Sequence, residues 1–156
     1  DSADVVVGEA MLTMQTDAHK AEIIAEALRV LRPGGRYAIH ELALQPDDLD
    51  DSVKTEIRKA LARSIKVNAR PLTRAEWTDL LTAGGFVVET VDFAPMALLQ
   101  PRRVLADEGV RGTARIIRNV LRDRPARRRV LAMRATFTTH KRALTAIALI
   151  ARKPNA

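Results

Sequence analysis

Cysteine is absent from the 156 residues, which removes a disulfide framework, a thiolate metal site and a cysteine nucleophile together. Histidine is scarce: His19, His40 and His140 stand far apart, and no metal site is expected from them. Aromatic residues make up only 3% of the chain, with Trp77 the single tryptophan. No stretch approaches the ~20 consecutive apolar residues of a membrane-spanning helix. A soluble, cytoplasmic protein with no membrane partner is therefore the expectation. No internal repeat or low-complexity tract is visible. What is present is a chain 47% apolar, enough for one ordinary domain with a real core.

The most legible stretch runs from Glu22 to Glu41. Ile23, Ile24, Ala27, Leu28 and Leu31 recur at helical spacing and give the helix one apolar face. Thr16 or Asp17 can cap its start. Arg32 precedes Pro33, which disfavours the α region and is expected to stop the helix there. Pro33-Gly34-Gly35 then turns the chain, with Gly34 at positive φ. Tyr37 to Leu44 follows as a buried strand, and Val5 to Val7 upstream reads as another. Helix, tight turn and strand make half of a βαβ unit.

Beyond this unit the chain reads as alternating elements. Residues 46–70 form a helical unit in which Leu49, Val53, Ile57, Leu61 and Ile65 make a stripe at intervals of four, with the acidic stretch 47–51 looping at its start. Thr73-Arg74-Ala75-Glu76 is a capping box, Trp77, Leu80 and Leu81 form the apolar face behind it, and Gly84-Gly85 closes that helix. Phe86 to Phe93 is a strand, and Ala143 to Ala151 is the last one. Between them, residues 95–142 read as a helical insertion of two to three helices, with a new start at Pro125 and a loop around Pro95 to Arg103.

ADVVVGEAML, HKAEIIAEALRVLRPGGRYAIHEL, PLTRAEWTDLLTAGGFVVETVDF and ALTAIALIARKP, in that order, resemble the second half of a class I S-adenosylmethionine-dependent methyltransferase of the small-molecule type. The resemblance implies an α/β chain: the C-terminal half of a Rossmann-like methyltransferase sheet, mixed, with its last strand antiparallel between its neighbours. Residues 1–156 would be the C-terminal portion of one such domain, with 46–70 as either a lid helix over the substrate or an amphipathic helix on the protein surface, and 95–142 as the insertion. The family's glycine-rich turn after its first strand does not occur, nor does the acid after its second that holds the cofactor ribose. Asp1-Ser2-Ala3-Asp4 enters a strand almost at once, the pattern of a chain that starts inside a larger fold.

Ligands of open α/β sheets sit beyond the C-terminal strand ends. By the resemblance Gly8, Glu9, Ala10 and Met11 would line S-adenosylmethionine. Glu41, then Glu9, then His40 are the candidates for a substrate-facing acid or base, with a small molecule as methyl acceptor. Alternation along the strand sends His40 and Glu41 to opposite faces, so both cannot serve. His19 reads as a solvated surface residue.

Charge is unevenly placed. Residues 102–142 hold 13 Lys/Arg against 3 Asp/Glu, while the rest of the chain is slightly acidic. A solvated arginine-rich surface is the ordinary reading, and an anionic ligand or a subunit contact is the next. Nucleic acid is not expected, because Phe137 is the only aromatic there. Alternatives to the enzyme reading are a non-catalytic truncated module completed by a partner, or an RNA methyltransferase using the basic segment. An unprotected valine strand at residues 5–7 also predicts a dimer, or association with a missing N-terminal half.

Overall fold

A computed structural model describes residues 2–95 and 101–155. Strand β1 (Ala3–Glu9) leads through a short 3-10 turn (Leu12–Met14) into helix α1 (Asp17–Val30). Strand β2 (Leu31–Leu44), helix α2 (Asp51–Ile65), the two-residue strand β3 (Leu72–Thr73) and helix α3 (Arg74–Ala83) follow. Strand β4 (Val87–Pro95), helices α4 (Pro101–Arg122) and α5 (Arg124–Thr139) and strand β5 (Leu144–Arg152) complete the order. The sheet runs β1-β2-β5-β4, with β3 beside β2. β1 is parallel to β2, and β5 is antiparallel to both β2 and β4, so the last strand closes a mixed sheet.

Several boundaries differ from the expected ones for local reasons. α1 stops at Val30, because Leu31 turns extended (ψ 138) and bridges Ala3. Ala3 pairs Leu31 while Val5 pairs Arg36, so Arg32 to Gly35 bulge out inside the bounds of β2. Gly34 supplies the positive φ (76°) that the bulge needs, and its N–H donates to the Lys153 carbonyl at 3.0 Å. α2 is shorter than 46–70, since residues 47–50 stay in the turn and Lys66 ends the helix in the left-handed region. Of the loop expected around Pro95 to Arg103, Pro95 ends β4, residues 101–103 open α4, and residues 96–100 lie outside the described residues. α4 is broken at Gly109 (φ 65°, ψ 178°) into two helical stretches.

The larger core cluster lies on one face of the sheet. Tyr37, Ile39, Ile147, Leu149 and Ala151 point from β2 and β5 onto Leu12, Ile24, Ala27, Trp77, Leu81 and Phe86. Each Leu, Ile or Phe side chain among them, removed from water, contributes about 1.5–3 kcal/mol of gross stabilisation. Thr16 caps α1 by accepting the His19 N–H, and the capping box of Thr73 and Glu76 forms as expected. Trp77 is buried in this core, and its indole N–H donates to the Leu42 carbonyl at 3.3 Å. A smaller cluster gathers Leu44, Ile57, Leu61, Ala69 and Leu144, with Phe137 of α5 packed against it.

The opposite face is open where β1 lies. Val5 and Val7 are 56% and 72% exposed. β1 pairs with β2 alone among the described residues, leaving one row of backbone donors and acceptors free. Among the described residues α5 packs on α2 and α4 packs on α5, while β1 pairs with β2 alone.

Candidate functional site

The C-terminal end of β1 leads into one of the two non-glycine residues at positive φ among the described residues. Ala10 adopts φ 49°, a left-handed conformation that costs a non-glycine residue about 1–3 kcal/mol and persists only where its surroundings hold it. Two elements hold it here. The Ala10 N–H donates to the His40 carbonyl at 2.8 Å, which extends the β1–β2 ladder by one residue. Glu41 then grips the next three residues. Its Oε1 accepts the Met11 and Leu12 N–H groups at 2.9 and 2.7 Å. Its Oε2 accepts the Thr13 N–H at 3.0 Å and the Thr13 hydroxyl at 2.6 Å.

Glu41, the first candidate for a substrate-facing acid or base, is buried, and each of its oxygens accepts two hydrogen bonds from residues 11–13, so it braces the loop. The cause is strand parity: Glu41 falls on the same face as Tyr37 and Ile39, and the loop folds back over that face. His40, one residue earlier, points to the open face and is exposed. There the register sets it beside Glu9, with His40 Nδ1 3.7 Å from Glu9 Oε1. The structure therefore joins Glu9 with His40 and separates both from Glu41.

Gly8 sits where the strand passes closest to a side chain. A Cβ at this position would lie 3.2 Å from the Tyr37 hydroxyl, so a side chain here would press on the core. That hydroxyl is buried and has no hydrogen-bond partner among the described residues. Burial, with the Glu41 charge adding to it, pushes the Tyr37 phenol up to about 12. Ala10 and Met11 face outward, while the N–H groups of residues 11–13 are consumed by Glu41. The loop thus offers a small apolar ledge beside an acid–imidazole pair.

Sequence reasoning missed Thr13, Tyr37 and Lys20. Lys20 is fully buried beneath the loop before α3, its Nζ 3.0 Å from the Arg70 carbonyl and 5.4 Å from the Trp77 ring centre. Burial pushes its ammonium down, against the opposing pull of Asp17. One signal was available: Lys20, Ile24, Ala27 and Leu31 share a helical face. Lys20 also borders a cavity of about 760 Å³ between α1 and α3. Lys20, Arg58 and Arg70 there are matched by Asp17, Glu76 and Asp79, so the cavity has no charge preference. Among the described residues no group of His, Cys, Asp or Glu could hold a metal ion.

No family model matches the sequence. A protein of Haemophilus influenzae, described only as uncharacterized, is 37% identical over 122 residues, covering 78% of this chain and 47% of that protein. Among solved structures, a cyclopropane synthase of Mycobacterium tuberculosis superposes with a TM-score of 0.68 at 14% identity, over 98% of this chain and 56% of its own. The cyclase SpnF gives 0.65 at 17% identity, over 99% and 51%. Phosphoethanolamine N-methyltransferase 2 of Haemonchus contortus, solved with S-adenosyl-L-methionine, gives 0.61 at 15% identity, over 97% and 33%. The chain has the class I S-adenosylmethionine-dependent methyltransferase fold, and it spans about half the length of the proteins it matches.

Proposed function

We propose that this chain is the C-terminal part of an S-adenosylmethionine-dependent methyltransferase acting on a small molecule. The observation that carries the reading is the buttressed turn at residues 8–13. A strained backbone, anchored by four hydrogen bonds to one buried carboxylate, stands at the C-terminal end of a parallel strand. That is where open α/β sheets bind ligands. The residues present fit part of the cofactor: the exposed Ala10 and Met11 give an apolar ledge for a flat ring. Their side chains provide no acceptor for the ribose hydroxyls and no donor for the carboxylate of the cofactor.

Those contacts would come from a second, N-terminal half, in the same chain or a partner. The free edge of β1 fits another strand, and the open face around Val5 and Val7 fits its helices. A dimer through the β1 edge is the competing arrangement. The cytoplasm, where the cofactor is made, is the setting that suits the reaction.

The cofactor supplies the electrophilic methyl carbon, and the protein has to align an acceptor and exclude water. His40, with Glu9 beside it, is the group available to take a proton from the acceptor, an effect typically worth about 10²–10⁴ in rate. Glu41 acts through the loop it holds. α2 is the candidate lid in this reading; what supports it is the packing of Ile57 and Leu61 against Leu44 and Leu144 at the same end of the sheet. Since a cyclase shares the fold, cofactor binding is the first property to test. S-adenosylhomocysteine added to the full-length protein should slow amide exchange at residues 8–13. No binding, or protection confined elsewhere, would overturn the proposal.

A further inference from the structure

The two helices between β4 and β5 have no role in cofactor binding or methyl transfer as proposed, and their composition asks for one. No residue from 102 to 139 is buried, although the segment is rich in Val, Ile and Leu. After the break at Gly109, Val110, Ile117 and Leu121 recur at intervals of seven and four and fall on one side of α4. They are 76%, 52% and 60% exposed. Arg111, Arg118 and Arg122 each follow one of these residues, about 100° further round the helix, with Arg115 beside them. The stripe is therefore apolar along its length and rimmed by arginine. Leu131 of α5, also exposed, stands among Arg127, Arg128 and Arg134.

We propose that this helical hairpin seats the protein on an anionic lipid surface. Partial burial of an apolar stripe below the headgroups, with long cationic side chains reaching up to them, is what such a helix achieves at an interface. Charge complementarity selects the occupant. A second copy would bring another 13 Lys/Arg against 3 Asp/Glu over residues 102–142, so like charges would meet. A nucleic acid would satisfy the arginines and leave the apolar stripe in water. An anionic bilayer answers both. This is association with a surface and not insertion: no helix among the described residues is long and apolar enough to cross a membrane.

The test is flotation of the full-length protein with vesicles of phosphatidylcholine and phosphatidylglycerol in a three-to-one ratio, against vesicles of phosphatidylcholine alone. Binding to the anionic vesicles should exceed binding to the neutral ones at least tenfold and should fall steeply as salt is raised. Ile117→Asp with Leu121→Asp should reduce anionic binding about tenfold, and both sites are exposed enough to spare the fold. The milder Leu121→Ser with Val110→Ser should reduce it in the same direction. Equal binding to both vesicle types, or none to either, would overturn the proposal. So would full binding by both variants, which would make charge alone sufficient. A dimer dispersed by the same substitutions, in protein that ignores vesicles, would assign the stripe to self-association and would also overturn it. Tight RNA binding unchanged by them would do the same.

Discussion

The two faces of this sheet are covered very differently along β1 and β2. On one face Tyr37, Ile39, Ile147 and Leu149 meet α1 and α3, and almost nothing there is left in water. On the other, Val5 and Val7 are open, and Glu9 and His40 stand beside them. The packed face needs no further residues to be a core. The open face looks like an unfinished one, since apolar strands covered on both sides are the rule for parallel pairs. The candidate chemistry lies at the open face, while the group that shapes the site, Glu41, is anchored in the packed one. The exposed His40 beside Glu9 and the buried Glu41 that braces the loop are separated by a single step along β2.

That separation is broken most severely from the packed side. Trp77→Ala removes the largest side chain of the core together with its hydrogen bond to Leu42, and should cost about 3–5 kcal/mol in urea unfolding of the full-length protein. Glu41→Ala should come next, at about 3 kcal/mol, because it leaves the buried N–H groups of Leu12 and Thr13 unpaired. It should also loosen the turn, seen as faster amide exchange at residues 11–13. A Glu41→Ala protein as stable as the parent would contradict the clamp.

Much of the packed face is legible in the amino-acid sequence, and the reason is local encoding. The α1 stripe and the Thr73–Glu76 capping box are set within a few residues and form as expected, and Gly34 takes its expected positive φ, though in a bulge of β2 and not in a turn between helix and strand. The choice between His40 and Glu41 is not local. Alternation separates them, but only the packing of α1 and α3 decides which of the two faces is covered. Lys20 is hidden for a similar reason: a lysine on a helix is normally solvated, and here the Arg70 carbonyl and the Trp77 ring come from distant segments. Two-residue β3 carries no periodicity from which to read it.

A smaller effect should follow from acid. Burial alone would raise the Glu76 carboxyl, but the Thr73 N–H and the Lys54 ammonium outweigh it and hold the group below the usual carboxylate range. A carboxyl lowered on folding contributes stability above its unfolded value, about 4.3, and loses that contribution as pH falls through the folded value. Acid unfolding should therefore set in over that window, and Glu76→Gln, which can keep the cap, should flatten this part of the profile. The smallest change in stability is expected on the open side. Val7→Lys should shift unfolding of this chain by no more than about 0.5 kcal/mol, while weakening any association through the β1 edge in sedimentation.

The central claim is that the packed half shapes a cofactor site which it cannot complete alone. Calorimetric titration of S-adenosylmethionine into the isolated 156 residues, and into the same chain joined to its N-terminal half, tests this most directly. The isolated chain should bind weakly or not at all, and the completed protein should bind with a micromolar dissociation constant. Micromolar binding by the isolated 156 residues would contradict it.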